Sequence, residues 1–179
     1  MATLGGISGE YTLDADRSRI GFVARHALIS RVRGHFGEFE GSAYLDFDQP
    51  GGSSAEVTIQ VASIDTGNGP RDDQLRINEF LNATRYPTIT FVSSRVEQSS
   101  NQRYALTGEL TIKGTTREVT LTFDLQSTTP EAGSISFTAA TQINRRDWNV
   151  EWPPPLETGG VLIGDKVMVE IRVVAARTE

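Results

Sequence analysis

The 179-residue chain predicts an all-β fold: an extended, eight-stranded antiparallel barrel with one short helix capping an end. Three observations predict it. Apolar and polar residues alternate with period two through segment after segment, turn-forming residues separate the segments, and helical spacing occurs only once. The length suits a single domain over residues 1–179, large enough to bury a core without disulfide staples.

The strands follow in order. "RIGFVARH" puts Ile20, Phe22, Ala24 and His26 on one face. "VRGHFGEFEGSAYLDF", residues 32–47, is the longest candidate. Phe39, Gly41, Ala43, Leu45 and Phe47 share a face but Phe36 falls on the other, so a register slip is expected near Gly37. Glycines at 34, 37 and 41 suit a strand that bends as a sheet closes on itself. "AEVTIQVAS" sets Val57, Ile59 and Val61 against Glu56, Thr58 and Gln60.

The helix is expected near residues 70–82. Asn68 or Gly69 caps it, Pro70 suits the first turn, and Asp72 and Asp73 place negative charge at the positive end of the macrodipole. Leu75, Ile77, Phe80 and Leu81 supply an apolar side, and Tyr86–Pro87 stops it.

A strand starts again at "TITF". "YALTGELTI" carries Tyr104, Leu106, Leu110 and Ile112; "VTLTFDL" carries Val119, Leu121, Phe123 and Leu125. Between them, Gly114 supplies the positive φ of a hairpin turn. "ISFTAATQI" and "VMVEIRVVA" complete the set, and "QPGGSS", "SSNQ" and "TPEAGS" are longer turns. "INRRDWNVEWPPPLETGG", residues 143–160, breaks the pattern: three prolines stiffen it and Trp148 and Trp152 stand beside Arg145, Arg146 and Asp147. Such a segment either borders a barrel mouth or is a surface connection pinned by its aromatics.

Composition narrows the chemistry. The chain has no cysteine and only His26 and His35, a poor basis for a metal site. A net charge of −6 opposes general affinity for nucleic acid or anionic lipid, though it leaves room for local basic patches. No run approaches the length of a membrane-spanning helix. The opening "MATLGGISGEYTL" has neither a basic start nor an apolar run, so a cytoplasmic location is expected if Met1 is the natural start.

Catalytic signals are weak. Glu38 and Glu40, two apart on a strand, stand about 6.6 Å apart by rise alone, near the spacing of an inverting glycosidase pair, but exposed strand charges commonly have this spacing. No nucleophile elbow accompanies the histidines, and "GNG" at 67–69 fits a helix cap better than a phosphate loop. The aromatics either fill a core or line a space, because eight strands close at a diameter compatible with both.

Five stretches in order, "HALISRVRGHFGEFEG", "SIDTGNGPRDDQLRINEFLNATRYPTITF", "LTGELTIKGTTREVTLTFDL", "INRRDWNVEW" and "LIGDKVMVEIRV", resemble the YceI family of lipocalin-like bacterial proteins associated with binding polyisoprenoids. The resemblance spans about residues 10–176. It implies a lipocalin-like barrel with a helix at one end, an isoprenoid chain or isoprenoid quinone in an apolar tunnel, no cofactor, and no catalytic residues to carry over. One position departs: Gln74 stands where the family usually has a histidine in Arg-Asp-x-His-Leu-Arg.

On that basis Phe22, Val57, Ile59, Leu75, Phe80, Phe91, Leu110, Phe123 and Phe137 are expected to line the tunnel. His26, Arg33 and Arg71 are expected to meet a head group at its mouth, unless the two arginines pair with surface acids instead. The helix is then an end cap. The expected function is non-enzymatic lipid carriage, storage or stress protection. The alternative is a ligand-free interaction or oligomerisation module, a homodimer for instance, using an exposed edge or the 148–156 segment.

Overall fold

A computed structural model describes residues 7–26, 30–76, 80–129, 132–150 and 163–178. The alternating segments form strands β1 (Gly9–Leu13), β2 (Arg19–His26), β3 (Ser30–Phe36), β4 (Phe39–Leu45), β5 (Ser54–Gln60), β6 (Ile64–Asp65), β7 (Thr88–Ser100), β8 (Arg103–Ile112), β9 (Thr115–Thr129), β10 (Ser134–Asn144) and β11 (Ile163–Arg177). One helix, α1 (Gly69–Leu75), lies between β6 and β7.

Neighbouring strands follow the order β1-β4-β5-β7-β8-β9-β10-β11, and a further pairing of β1 with β11 closes the ring. Every pairing is antiparallel. The result is the expected eight-position barrel. β2 pairs with the first part of β11 and β1 with its last residues, so β1 and β2 are two halves of one barrel position. The same holds for β3 with β4, and for β5 with β6. β1 was not foreseen, since only Tyr11 and Leu13 alternate there.

Each half-strand break has a local cause. Between β1 and β2 the chain makes a 3-10 turn at Ala15–Arg17, started by Asp14, whose side chain accepts the Asp16 amide. Val174 of β11 would lose ladder partners at that corner. Instead its N–H donates to Ser18 Oγ at 2.8 Å, and its carbonyl accepts from Asp14 N at 2.8 Å and from Ser18 Oγ at 3.1 Å, so its backbone groups stay satisfied.

Between β3 and β4 the expected slip occurs at Gly37 and Glu38. Val32, Gly34 and Phe36 point inward before it, and Phe39, Gly41, Ala43 and Leu45 after it. The Gly37 amide donates to Ser63 O and the Gln60 amide to Glu38 O, which ties this corner to the Val61–Ser63 turn between β5 and β6.

The β8–β9 hairpin turns through Lys113 (φ 52°) and Gly114 (φ 75°), two left-handed residues in succession, as a type I′ turn requires. The helix is shorter than expected, ending at Leu75 rather than 82. Asn68 caps it, accepting the Arg71 amide at 3.0 Å. Past Leu75 the Arg76 guanidinium binds the carbonyls of Ala62 and Ile64, and the Leu81 amide returns to Leu75 O, so the chain folds back instead of adding a turn.

Two apolar clusters occupy the barrel. At the helix end Leu75, Phe80 and Leu81 pack with Ile20, Phe39, Ile64, Ile89, Trp148 and Val150. At the other end Ile7, Tyr11, Tyr104, Leu125, Ile135 and Ala175 form the second cluster, with Leu45, Phe47, Phe137 and Val173 against it.

Candidate functional site

Between the two clusters the barrel is hollow. Inward-facing side chains from nine strands, β1, β4, β5, β7 to β11 and, through Ile20, β2, surround a cavity of about 220 Å³. Its wall is almost entirely apolar: Val57 and Ile59 of β5, Phe91 of β7, Leu106 and Leu110 of β8, Leu121 and Phe123 of β9, Ile143 of β10, and Ile171 and Val173 of β11. Small residues, Gly41, Ala43 and Ala55, form the β4–β5 side, where the lining continues to Asp46, Phe47 and Ser53 of the connecting loop.

At the helix end the described residues close over the hollow. Trp148 is 2% exposed, and its indole N–H donates to Leu110 O at 2.9 Å. The 3-10 turn that carries it, Arg145–Trp148, is fixed by buried Arg145, which donates to Val150 O at 2.8 Å. Asp165 accepts from Arg146 Nε at 2.6 Å and from Arg145 at 3.5 Å. The hydrogen bond from Arg146 is the main reason its carboxyl lies below the usual carboxylate range. Within the described part of the 143–160 segment, the chain therefore plugs a barrel end; Trp152 and the three prolines lie outside the described residues.

Toward the opposite end an aromatic series, Phe47, Tyr104, Phe137 and Phe123, meets edge to face at centroid distances of 6.0, 6.4 and 6.2 Å. Tyr104, Phe137 and Phe123 all line the cavity. Tyr104 is 8% exposed, and burial pushes its phenol up from the ordinary value.

Of the nine residues expected to line a tunnel, Val57, Ile59, Phe91, Leu110, Phe123 and Phe137 border this cavity. Phe22, Leu75 and Phe80 instead belong to the helix-end cluster, where the Phe22 ring meets Phe36 at a centroid distance of 5.8 Å, tilted by 48°. Of the three expected head-group residues the side chains of Arg33 and Arg71 are described, and neither borders the hollow. Arg33 lies on the outward face of β3, 3.7 Å from Glu170, and Arg71 donates to Thr66 Oγ1 and Thr66 O beside the buried Asp72. The His26 side chain lies outside the described residues. Gln74 is exposed on α1.

Lining residues that were not singled out, such as Leu106, Leu121, Thr141 and Ile171, sit at inward positions of strands whose alternation was plain in the sequence. Glu38 and Glu40 are both exposed, one in the corner after β3 and one on the outer face of β4, and they do not converge on the hollow. Among the described residues no cluster of histidine, aspartate or glutamate could hold a metal ion, and no helix is long and apolar enough to cross a membrane.

A UPF0312 protein of Staphylococcus aureus is 33% identical over 166 residues, covering 89% of this chain and 93% of that one. Protein YceI of Shigella flexneri is 33% identical over 150 residues, covering 81% and 78%. The crystal structure of Burkholderia cenocepacia BcnA superposes with a TM-score of 0.82 at 28% identity over 90% of this chain and 98% of that one. A polyisoprenoid binding domain from Saccharophagus degradans, at 16% identity, shares the fold with a TM-score of 0.77 over 94% and 98%. The YceI-like domain model matches residues 11–175, from the first barrel strand to the last, and the chain belongs to that family.

Proposed function

We propose that this protein binds an isoprenoid lipid, a polyprenyl chain or an isoprenoid quinone, in the hollow of its barrel, and does no chemistry on it. The observation that carries the reading is the hollow itself: space left open in the middle of a closed barrel and walled by apolar side chains. Empty apolar space forfeits dispersion contacts, and a hydrocarbon restores them without a hydrogen-bond partner. Likeness in fold to the polyisoprenoid binding domain of Saccharophagus degradans supports the same reading.

Size sets the scale of affinity. A cavity of about 150 Å³ holds a benzene-sized molecule, so about 220 Å³ shelters about one or two five-carbon units of a chain. Each unit contributes about 4 kcal/mol of transfer free energy, and two correspond to micromolar binding before ordering costs are subtracted. A longer tail gains affinity only by extending along the β4–β5 side or by displacing side chains. The role that goes with such binding is carriage, storage or stress protection.

Native mass spectrometry and solvent extraction of protein purified from a bacterium test this. A bound isoprenoid mass is expected. A ligand-free protein that also ignores added prenols and isoprenoid quinones would refute it.

A further inference from the structure

The chain carries a net charge of −6, yet one outer face of the barrel is basic. On the outward positions of β11, β2 and β3 stand Lys166 and Arg172, Arg19, and Arg31 and Arg33. The described exposed acids on these strands are Glu170, which faces Arg33 at 3.7 Å, and Asp165, which is bound by Arg145 and Arg146. Arg19 and Arg172 are directly opposite each other across the β2–β11 ladder, a like-charged pair that costs stability.

Neither has an ion pair or hydrogen bond among the described residues. The acid at the far edge, Asp124, is taken by Arg103 at 2.8 Å. Arg19, Arg33 and Arg172 border a groove of about 430 Å³ over Gly21 and Ala140, with Val23 and the exposed Met168 on its wall. The patch extends about 20 Å along β11 by strand rise.

We propose that this face is a docking surface for an anionic phospholipid bilayer. Uncompensated cations gathered on one side of an otherwise acidic molecule orient that side toward a negative plane. Apolar Val23 and Met168 among the cations match the boundary between head groups and acyl chains, and the described outward positions of these strands carry no phenylalanine, tyrosine or tryptophan, His35 being the one ring among them. The choice of a bilayer rests in part on the lipid-binding reading, because an isoprenoid cargo resides in membranes.

Co-sedimentation of the full chain with vesicles tests it. Binding to vesicles containing phosphatidylglycerol is expected at low salt, lost at high salt, and absent from phosphatidylcholine alone. Each arginine near an anionic surface is worth about a fivefold change in partition, so the double variant Arg19→Gln, Arg172→Gln should bind about 25-fold less. A second pair, Arg31→Gln with Lys166→Gln, should lose a similar factor, and thermal melts confirm that both pairs remain folded.

Binding that ignores vesicle charge, no binding at low salt, or tighter patch-dependent binding to a duplex oligonucleotide would overturn the proposal. Protein that carries isoprenoid but never sediments removes the docking face and leaves the cargo reading intact. Protein that sediments but yields no isoprenoid does the reverse.

Discussion

Replacing Ala43 with phenylalanine should separate binding from folding. Ala43 lines the hollow from an inward position of β4. The added ring contains slightly more carbon than one five-carbon prenyl unit, so ligand of that extent is excluded, about 4 kcal/mol of gross transfer free energy. Ordering costs are relieved in parallel, leaving an expected affinity loss on the order of 100-fold.

Stability should move the other way. If the ring fills about half of the 220 Å³, a coefficient of about 24 cal/mol per Å³ gives a gain of about 2.5 kcal/mol, reduced to about 1–2 by rotamer strain. The assay pairs urea denaturation of delipidated protein with titration of a fluorescent prenyl analogue. Undiminished binding would place the ligand elsewhere. Lost stability of several kcal/mol would mean the space is not there to be filled, and with it the carrier reading falls.

Other perturbations address the frame of the site. Trp148→Ala removes a nearly fully buried indole and its bond to Leu110 O, and should lower unfolding free energy by about 3–5 kcal/mol in urea denaturation. Asp165 is held ionised by Arg146, so its folded-state pKa lies below the unfolded value. The stabilisation it gives is therefore full above the ordinary carboxylate range and disappears as pH falls through the depressed folded value. Melting curves between pH 5 and about pH 2 should show a shallower acid loss for Asp165→Asn than for the parent. Gly114→Ala should cost about 1–2 kcal/mol, since its φ of 75° is left-handed and a Cβ would stand 2.8 Å from the Tyr86 ring.

Much of the fold was legible because period-two alternation reports directly on which side of a sheet is dry. Exposed Glu40 and the capped start of α1 follow from such local rules. Arg33 was legible too: Val32 and Phe36 inside place it outside, and expecting it at a tunnel mouth ran against that parity. Closure of β1 on β11 was not legible, since it rests on three residue pairs far apart in the chain. Nor was the division between residues that fill the barrel and residues that border its hollow. Phe22 and Phe123 have the same chemistry and both point inward. Phe22 meets Phe36 and the helix-end cluster, whereas Phe123 meets open space, and only the summed volume of all the inward side chains decides that.

The three corners at Ala15–Arg17, Gly37–Glu38 and Val61–Ser63 fall side by side, across adjacent barrel positions, while β7 to β11 run past unbroken. Five of the eight barrel positions thus form a stiff trough, and the other three carry a transverse seam. Any widening needed to admit a longer tail will be taken up along that seam, like a lid on its hinge, and not shared evenly around the hoop.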